Sequence, residues 1–186
     1  NAGDATVFGD FSGAAIAEDT QRAGRFWSPV LAGDVASIEL HAAAGVDVAG
    51  VVLAFPRVSH QVVAGAALLA PFATSGIGSA GGCNIDIACL APPSAPAQAL
   101  AKSVAKLSFV GDDGRSYLCT GTLLSDSVHS QVPYLLTASH CIGSAEVART
   151  LNTFWFFDAV ACKSTATPAY AQLTAGAVLL GRSPDR

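Results

Sequence analysis

The sequence predicts an all-β fold, and three observations carry that prediction. Val, Ile and Thr recur in short runs cut by Gly, Pro and Ser, the punctuation of strands joined by turns. Val35, Ser37, Glu39 and His41 alternate with Ala36, Ile38 and Leu40, the period of two that a half-buried strand requires. Gly111-Asp112-Asp113-Gly114 stands between two apolar runs. Asp-Gly at such a place signals a hairpin, because glycine supplies the positive φ that a tight turn demands.

Taken in order, residues 1–24 are small and polar with little periodicity and read as a loose leader. Residues 25–72 read as a small β-rich unit, with the alternating segment 35–41 followed by apolar runs at 48–55 and 58–69. Residues 73–82, Ala-Thr-Ser-Gly-Ile-Gly-Ser-Ala-Gly-Gly, have the composition of a flexible linker. Gly76, Gly78 and Gly81 there spell G-x-G-x-x-G, but a dinucleotide site needs a helix directly after the glycines. Here Cys83 and Asn84 follow, then Pro92, Pro93 and Pro96, so the linker reading stands. Residues 83–186 resume the β pattern, with runs at 106–110, 116–124 and 134–138 and a break at 125–133.

Composition excludes several classes. Hydrophobic residues make up 51% and charged ones 13%, the reverse of a disordered chain. A net charge of −4 offers no electrostatic footprint for nucleic acid. The longest apolar stretch, residues 62–72, holds Gly65 and Pro71 and falls short of the ~20 apolar residues of a membrane helix. No signal peptide is legible, since the chain opens at Asn1 without a basic segment leading into an apolar one. All five cysteines, Cys83, Cys89, Cys119, Cys141 and Cys162, lie in the C-terminal part. No pair is spaced Cys-x-x-Cys, which points to disulfides in an oxidising compartment rather than a zinc ribbon or thioredoxin-type site. Five is odd, so one cysteine lacks a partner within the chain.

The chemistry concentrates in Tyr134-Leu135-Leu136-Thr137-Ala138-Ser139-His140-Cys141, an apolar strand ending in Thr-Ala-x-His-Cys. Upstream stands Cys119-Thr120-Gly121-Thr122-Leu123-Leu124. The pair resembles the N-terminal barrel of trypsin/chymotrypsin-like serine proteases. With Gly82-Cys83-Asn84-Ile85-Asp86-Ile87-Ala88-Cys89, and with Cys162 after Phe154-Trp155-Phe156-Phe157, the ordered set is closest to the bacterial lysyl endopeptidases. Residues 25–70, including Phe26-Trp27-Ser28-Pro29, are similar to the β-rich pro-region that precedes such proteases.

The resemblance implies residues 83–186 as the first Greek-key β-barrel of a double-barrel protease, six-stranded or most of it, truncated, with residues 25–72 as pro-region. It implies His140 as the histidine of a Ser-His-Asp triad. A serine hydroxyl is a weak nucleophile until a base takes its proton, and histidine titrates near the working pH. A buried carboxylate would fix the tautomer of that histidine. It also implies disulfides Cys119–Cys141 and Cys89–Cys162, leaving Cys83 unpaired because its family partner lies in the second barrel. His41, His60 and His129 read as surface or satisfied residues, and the aromatic run as barrel core. Cys141 beside His140 has no second His or Cys at ligand spacing, so no metal is expected, and no cofactor.

The family's Gly-Asp-Ser-Gly-Gly segment does not occur in the 186 residues. The triad aspartate is expected just beyond Arg186, with Asp185 the candidate within the chain. The expectation is therefore a piece of a secreted, bacterial-type endopeptidase, inactive alone, whose partners are a protein or peptide substrate and the missing C-terminal barrel. Two rivals are a non-catalytic secreted β module that binds a protein or carbohydrate, and a short protein with a lectin-like N-terminal unit. Residues 58–82 hold no Lys or Arg, so release of the pro-region there calls for an outside protease or a non-basic specificity, unless the pro-region stays attached.

Overall fold

In the computed structural model, residues 11–23, 25–31, 35–59, 85–90, 94–166, 168–174 and 176–183 are described. The first of these stretches departs from the expected leader. It holds a helix, α1 (Gly13–Ala23), capped by Ser12, whose Oγ accepts the Ala15 N–H at 3.1 Å. Alanine propensity and one cap favour these three turns, and neither produces a sequence periodicity that would announce the helix. Phe11 then packs edge-on against Phe26, with ring centroids 5.1 Å apart.

Residues 35–59 depart in the other direction. The alternating segment 35–41 and the run 48–55 belong to no strand. Short turns close at Ala43–Val46 and Val48–Val51, and Val52 is 86% exposed. Alternation disposes a chain to be extended, but a strand exists only when a neighbour takes its N–H and C=O groups. The rest of the expected run at 58–69, and the linker at 73–82, lie outside the described residues.

The remainder is mostly β. It is organised by one antiparallel sheet of β1 (Val104–Val110), β2 (Ser116–Leu124), β3 (Tyr134–Leu136), β4 (Asn152–Trp155) and β5 (Ala171–Leu173). The helices are short: α2 (Ala95–Ala101) leads into β1, and α3 (Ala145–Ala148) precedes β4. The spatial order is β3-β2-β1-β4-β5, so β1 is central and β3 and β5 stand at the two ends.

The β1–β2 hairpin closes where Asp-Gly signals it. Gly114 has φ +80°, its N–H donates to Gly111 O at 2.9 Å, and the Gly111 N–H donates to Arg115 O at 2.8 Å. Pairing then runs from Val110–Ser116 to Val104–Thr122. On one face of the sheet Ala105, Leu107 and Phe109 meet Trp155, Cys141, Ile142, Val147, Ala148 and Leu151, and this is the core. Leu107 is fully buried, which at ~25 cal/mol per Å² of apolar surface places about 2 kcal/mol of burial on one side chain. Thr150 ties α3 to the end of β1, its Oγ1 accepting the Val110 N–H at 2.8 Å.

The opposite face is also covered around β1 and β4, where Ser108, Val110, Asn152 and Phe154 are buried. The aromatic run therefore divides instead of forming core throughout. Trp155 faces the main core, while Phe154 sits on the other side with Phe157 and Tyr170, ring centroids 5.5 to 6.4 Å apart. Phe156 is 51% exposed, at φ +60°.

Candidate functional site

β3 ends at Leu136, and the next residue locks the strand end to its neighbour: Thr137 Oγ1 donates to Thr120 O at 2.8 Å. The chain then turns sharply, with the Cys141 N–H on Ala138 O at 3.0 Å. This turn sends Cys141 and Ile142 inward to the core and leaves His140 exposed. A β-ladder thus sets the start of the turn and buried side chains set its end, with the imidazole on the outside between them.

Cys141 is joined to Cys119 of β2, with Cα atoms 6.3 Å apart. The two sulfurs and an imidazole nitrogen of His140 lie within 4.8 Å of one another. Such a Cys-His-Cys group has the donor types of a metal site, but neither sulfur is a thiolate while the bridge stands, and the thiolate is the metal-binding form. A second bridge, Cys89 to Cys162 with Cα atoms 4.4 Å apart, fastens the segment before α2 to the loop after β4.

A concavity of about 530 Å³ opens beside His140, walled by Gly111, Asp112, Asp113, Tyr117 and the Cys119–Cys141 bridge. The hairpin turn is its lip. The Arg115 N–H, followed by the Tyr117 hydroxyl, holds the Asp113 carboxyl below the usual carboxylate range. Asp112 ties the lip to the loop after His140, accepting from Ser144 Oγ at 2.9 Å. The chain's last described stretch returns to the same loop. Gly176, at φ +69°, passes so close to the Arg149 backbone that no side chain would fit. Leu179 packs on the core, and Arg182 Nη1 donates to Gly143 O at 2.8 Å.

Two of the five cysteines and His140 thus come together, while Cys89 and Cys162 pair elsewhere. Cys83, Asp185 and His60 lie outside the described residues. His41 is exposed 3.2 Å from Glu39, and His129 sits on the β2–β3 loop near Ser125. Lys106, which sequence reasoning passed over, is held among the outer-face aromatics, its Nζ 4.4 Å from the Phe157 ring centroid. Burial lowers its pKa. The only sequence signal for it is a lone lysine within the apolar run of β1.

Residues 77–186 match the family model for the lysyl endopeptidase C-terminal domain, and residues 2–62 match that for the lysyl endopeptidase N-terminal domain. Lysyl endopeptidase of Pseudomonas aeruginosa is 34% identical over 166 residues, covering 87% of this chain and 35% of that protein. The chain spans about a third of that relative's length. No solved structure matches.

Proposed function

The chain belongs to the lysyl endopeptidase family, and from that premise we propose that it is part of a secreted serine endopeptidase in which His140 serves as general base. The observation that carries this reading is the placement of His140. It is exposed beside a concavity, on a turn braced by the β2–β3 ladder and the Cys119–Cys141 bridge. A triad histidine must present an imidazole nitrogen to a serine hydroxyl without losing its orientation, and a braced turn on a strand end supplies that.

In this reading residues 83–186 are the first barrel of a double-barrel protease. The five antiparallel strands support it, and a sixth strand would complete the ring. Residues 25–72 are proposed as the pro-region and residues 73–82 as the linker, beside an N-terminal family match over residues 2–62 and a C-terminal one over residues 77–186. The return of residues 176–183 to the His140 loop supports a triad carboxylate from Asp185 or a residue close after it. Two bridges suit an oxidising, extracellular setting. Cys83 is proposed as the unpaired thiol, and the substrate as a protein or peptide cleaved through an acyl-enzyme.

Because the 186 residues hold no Gly-Asp-Ser-Gly-Gly segment, the chain by itself is expected to hydrolyse nothing. The test is to read the coding sequence past Arg186, express its whole product and assay peptide esters. The expected result is a Gly-Asp-Ser-Gly-Gly segment and a loss of kcat on the order of 10⁵ to 10⁶ in His140→Ala, the scale of removing a triad histidine. An open reading frame without that segment, or a His140→Ala product of unchanged activity, sinks the proposal.

A further inference from the structure

We infer that Arg182 is a positioning residue for the reaction proposed above: its guanidinium fixes, against the His140 loop, the stretch of chain that leads to the triad carboxylate. This rests on the reading of His140 as general base and adds a residue to it. Residues 176–182 are tied to the segment 143–149 at successive points. Gly176 lies against the Arg149 backbone. The Ala177 N–H donates to Ala148 O at 2.8 Å. Leu179 packs on the core, whereas Val178 and Leu180 on either side of it are exposed. Arg182 then reaches Gly143 O, with Nη1 at 2.8 Å. The partners fall from 149 to 143 as the chain rises from 176 to 182, so the stretch runs back along this segment toward His140.

Gly143 is a firm anchor, because its neighbours are held independently. Ile142 before it is buried in the core. Ser144 after it caps α3, its Oγ accepting the Val147 N–H at 3.2 Å and donating to Asp112 at 2.9 Å. Residues 180–183 are exposed, so burial does not hold them. A long side chain that stays charged and donates to a carbonyl does.

The consequence is geometric. Asp185 follows Arg182 by three residues, a reach of roughly 11 Å at full extension, so anchoring Arg182 confines a carboxylate supplied there or just after. That carboxylate acts by fixing the tautomer and orientation of the imidazole. A misplacement of about 1 Å costs on the order of 10² in rate. Arg182 itself bonds the loop backbone and acts through the placement of the carboxylate.

The test uses the whole product of the reading frame that continues past Arg186, assayed on peptide esters. Arg182→Ala is expected to lower kcat and kcat/KM together, on the order of 10²-fold, with KM unchanged, as for an interaction made only in the transition state. A carboxylate beside an imidazole favours the protonated ring, so its looser placement should move the acid limb of kcat/KM to lower pH. Loss of a bystander cation would move that limb to higher pH. Asp112 and Asp113 also face the concavity beside His140, and they stay in place in both proteins. The melting temperature should shift by less than about 4 °C, the scale of one exposed hydrogen bond. Arg182→Lys, which keeps a charged donor, should recover part of the lost kcat. Should Arg182→Ala fail to fold, Arg182→Gln, which keeps most of the stem, is read in the same way. Wild-type kcat, a loss confined to KM, an acid limb that stays or rises, or a lysine variant no faster than the alanine one each overturns the inference. His140→Ala runs beside them: if it is inactive while Arg182→Ala matches wild type, the inference alone falls. If His140→Ala keeps its activity, the reading beneath falls with it.

Discussion

Residues 35–59 and residues 104–124 are both apolar stretches of extended chain, yet only the second builds sheet. In residues 104–124 a four-residue turn delivers β2 to β1, and β4 covers the other edge. Leu107 is completely buried as a result. In residues 35–59 the described backbone makes only two short turns, and Val35, Val52 and Val58 are each more than 80% exposed. One link between the stretches is the hydrogen bond of 2.6 Å between Ser59 Oγ and Ser116 Oγ. An apolar pattern prepares a face, then, and a neighbour brought close by a short loop is what uses it.

The largest effect should come from deleting the same kind of side chain in the two regions. Leu107→Ala is expected to cost roughly 2–5 kcal/mol of unfolding free energy, and Val52→Ala to stay within about 0.5 kcal/mol. Urea unfolding followed by Trp155 fluorescence measures both. Equal costs would mean that residues 35–59 are packed in solution.

Breaking the bridges sharpens the contrast next, since both belong to the C-terminal region. Closing 22- and 73-residue loops restricts the unfolded chain by roughly 3 and 4.5 kcal/mol on the entropic account. Cys89→Ser/Cys162→Ser should therefore lower the unfolding midpoint more than Cys119→Ser/Cys141→Ser. The reverse order would show that the smaller loop does more than constrain entropy.

Glycine substitution separates the regions on a finer scale. Gly114 and Gly45 have nearly the same φ, +80° and +86°, and open space where a Cβ would go. Forcing alanine into the left-handed region costs about 1–2 kcal/mol. At Gly114 that cost falls on a turn coupled to the sheet, and at Gly45 on exposed chain coupled to no ladder. Gly114→Ala should lower the melting temperature, and Gly45→Ala should leave it unchanged.

The smallest effect concerns pH at the hairpin. Asp113 titrates below its unfolded value because the Arg115 N–H, and after it the Tyr117 hydroxyl, bond its charged form. A lowered folded pKa adds stability above the unfolded value, about 3.9 for aspartate, and that stability disappears as pH falls through the folded one. Amide chemical shifts at Gly114 and Arg115 should report the hairpin loosening in acid. Asp113→Asn should remove that pH step, and a step that persists would assign it to another group.

The β1–β2 hairpin was legible because its cause is local: Asp-Gly chemistry acts over four residues. The Thr-Ala-x-His-Cys segment was legible as the end of an apolar strand for the same reason. The aromatic run read as a single block of core, but strand pleating sends Phe154 and Trp155 to opposite faces, and the chain beyond β4 leaves Phe156 outside. Helix α1 went unread because its cap and alanines carry no periodicity. Asp185 and Cys83 stay where the sequence reading left them, as proposals.

By itself the sequence determined what neighbouring residues decide: where the chain turns at 111–114, that His140 follows a strand, and that its cysteines lie beyond residue 82. Only the tertiary structure decided the strand order β3-β2-β1-β4-β5 and the pairing of β4 with β1 across some forty residues of chain. It also decided the failure of 35–59 to pair, the seat of Lys106 among aromatics, and the return of Arg182 to Gly143. The physical reason is range. Turn and cap energies are fixed by a few consecutive residues, whereas a ladder, a buried face or a bridge depends on which distant segments close their loops first and exclude water together.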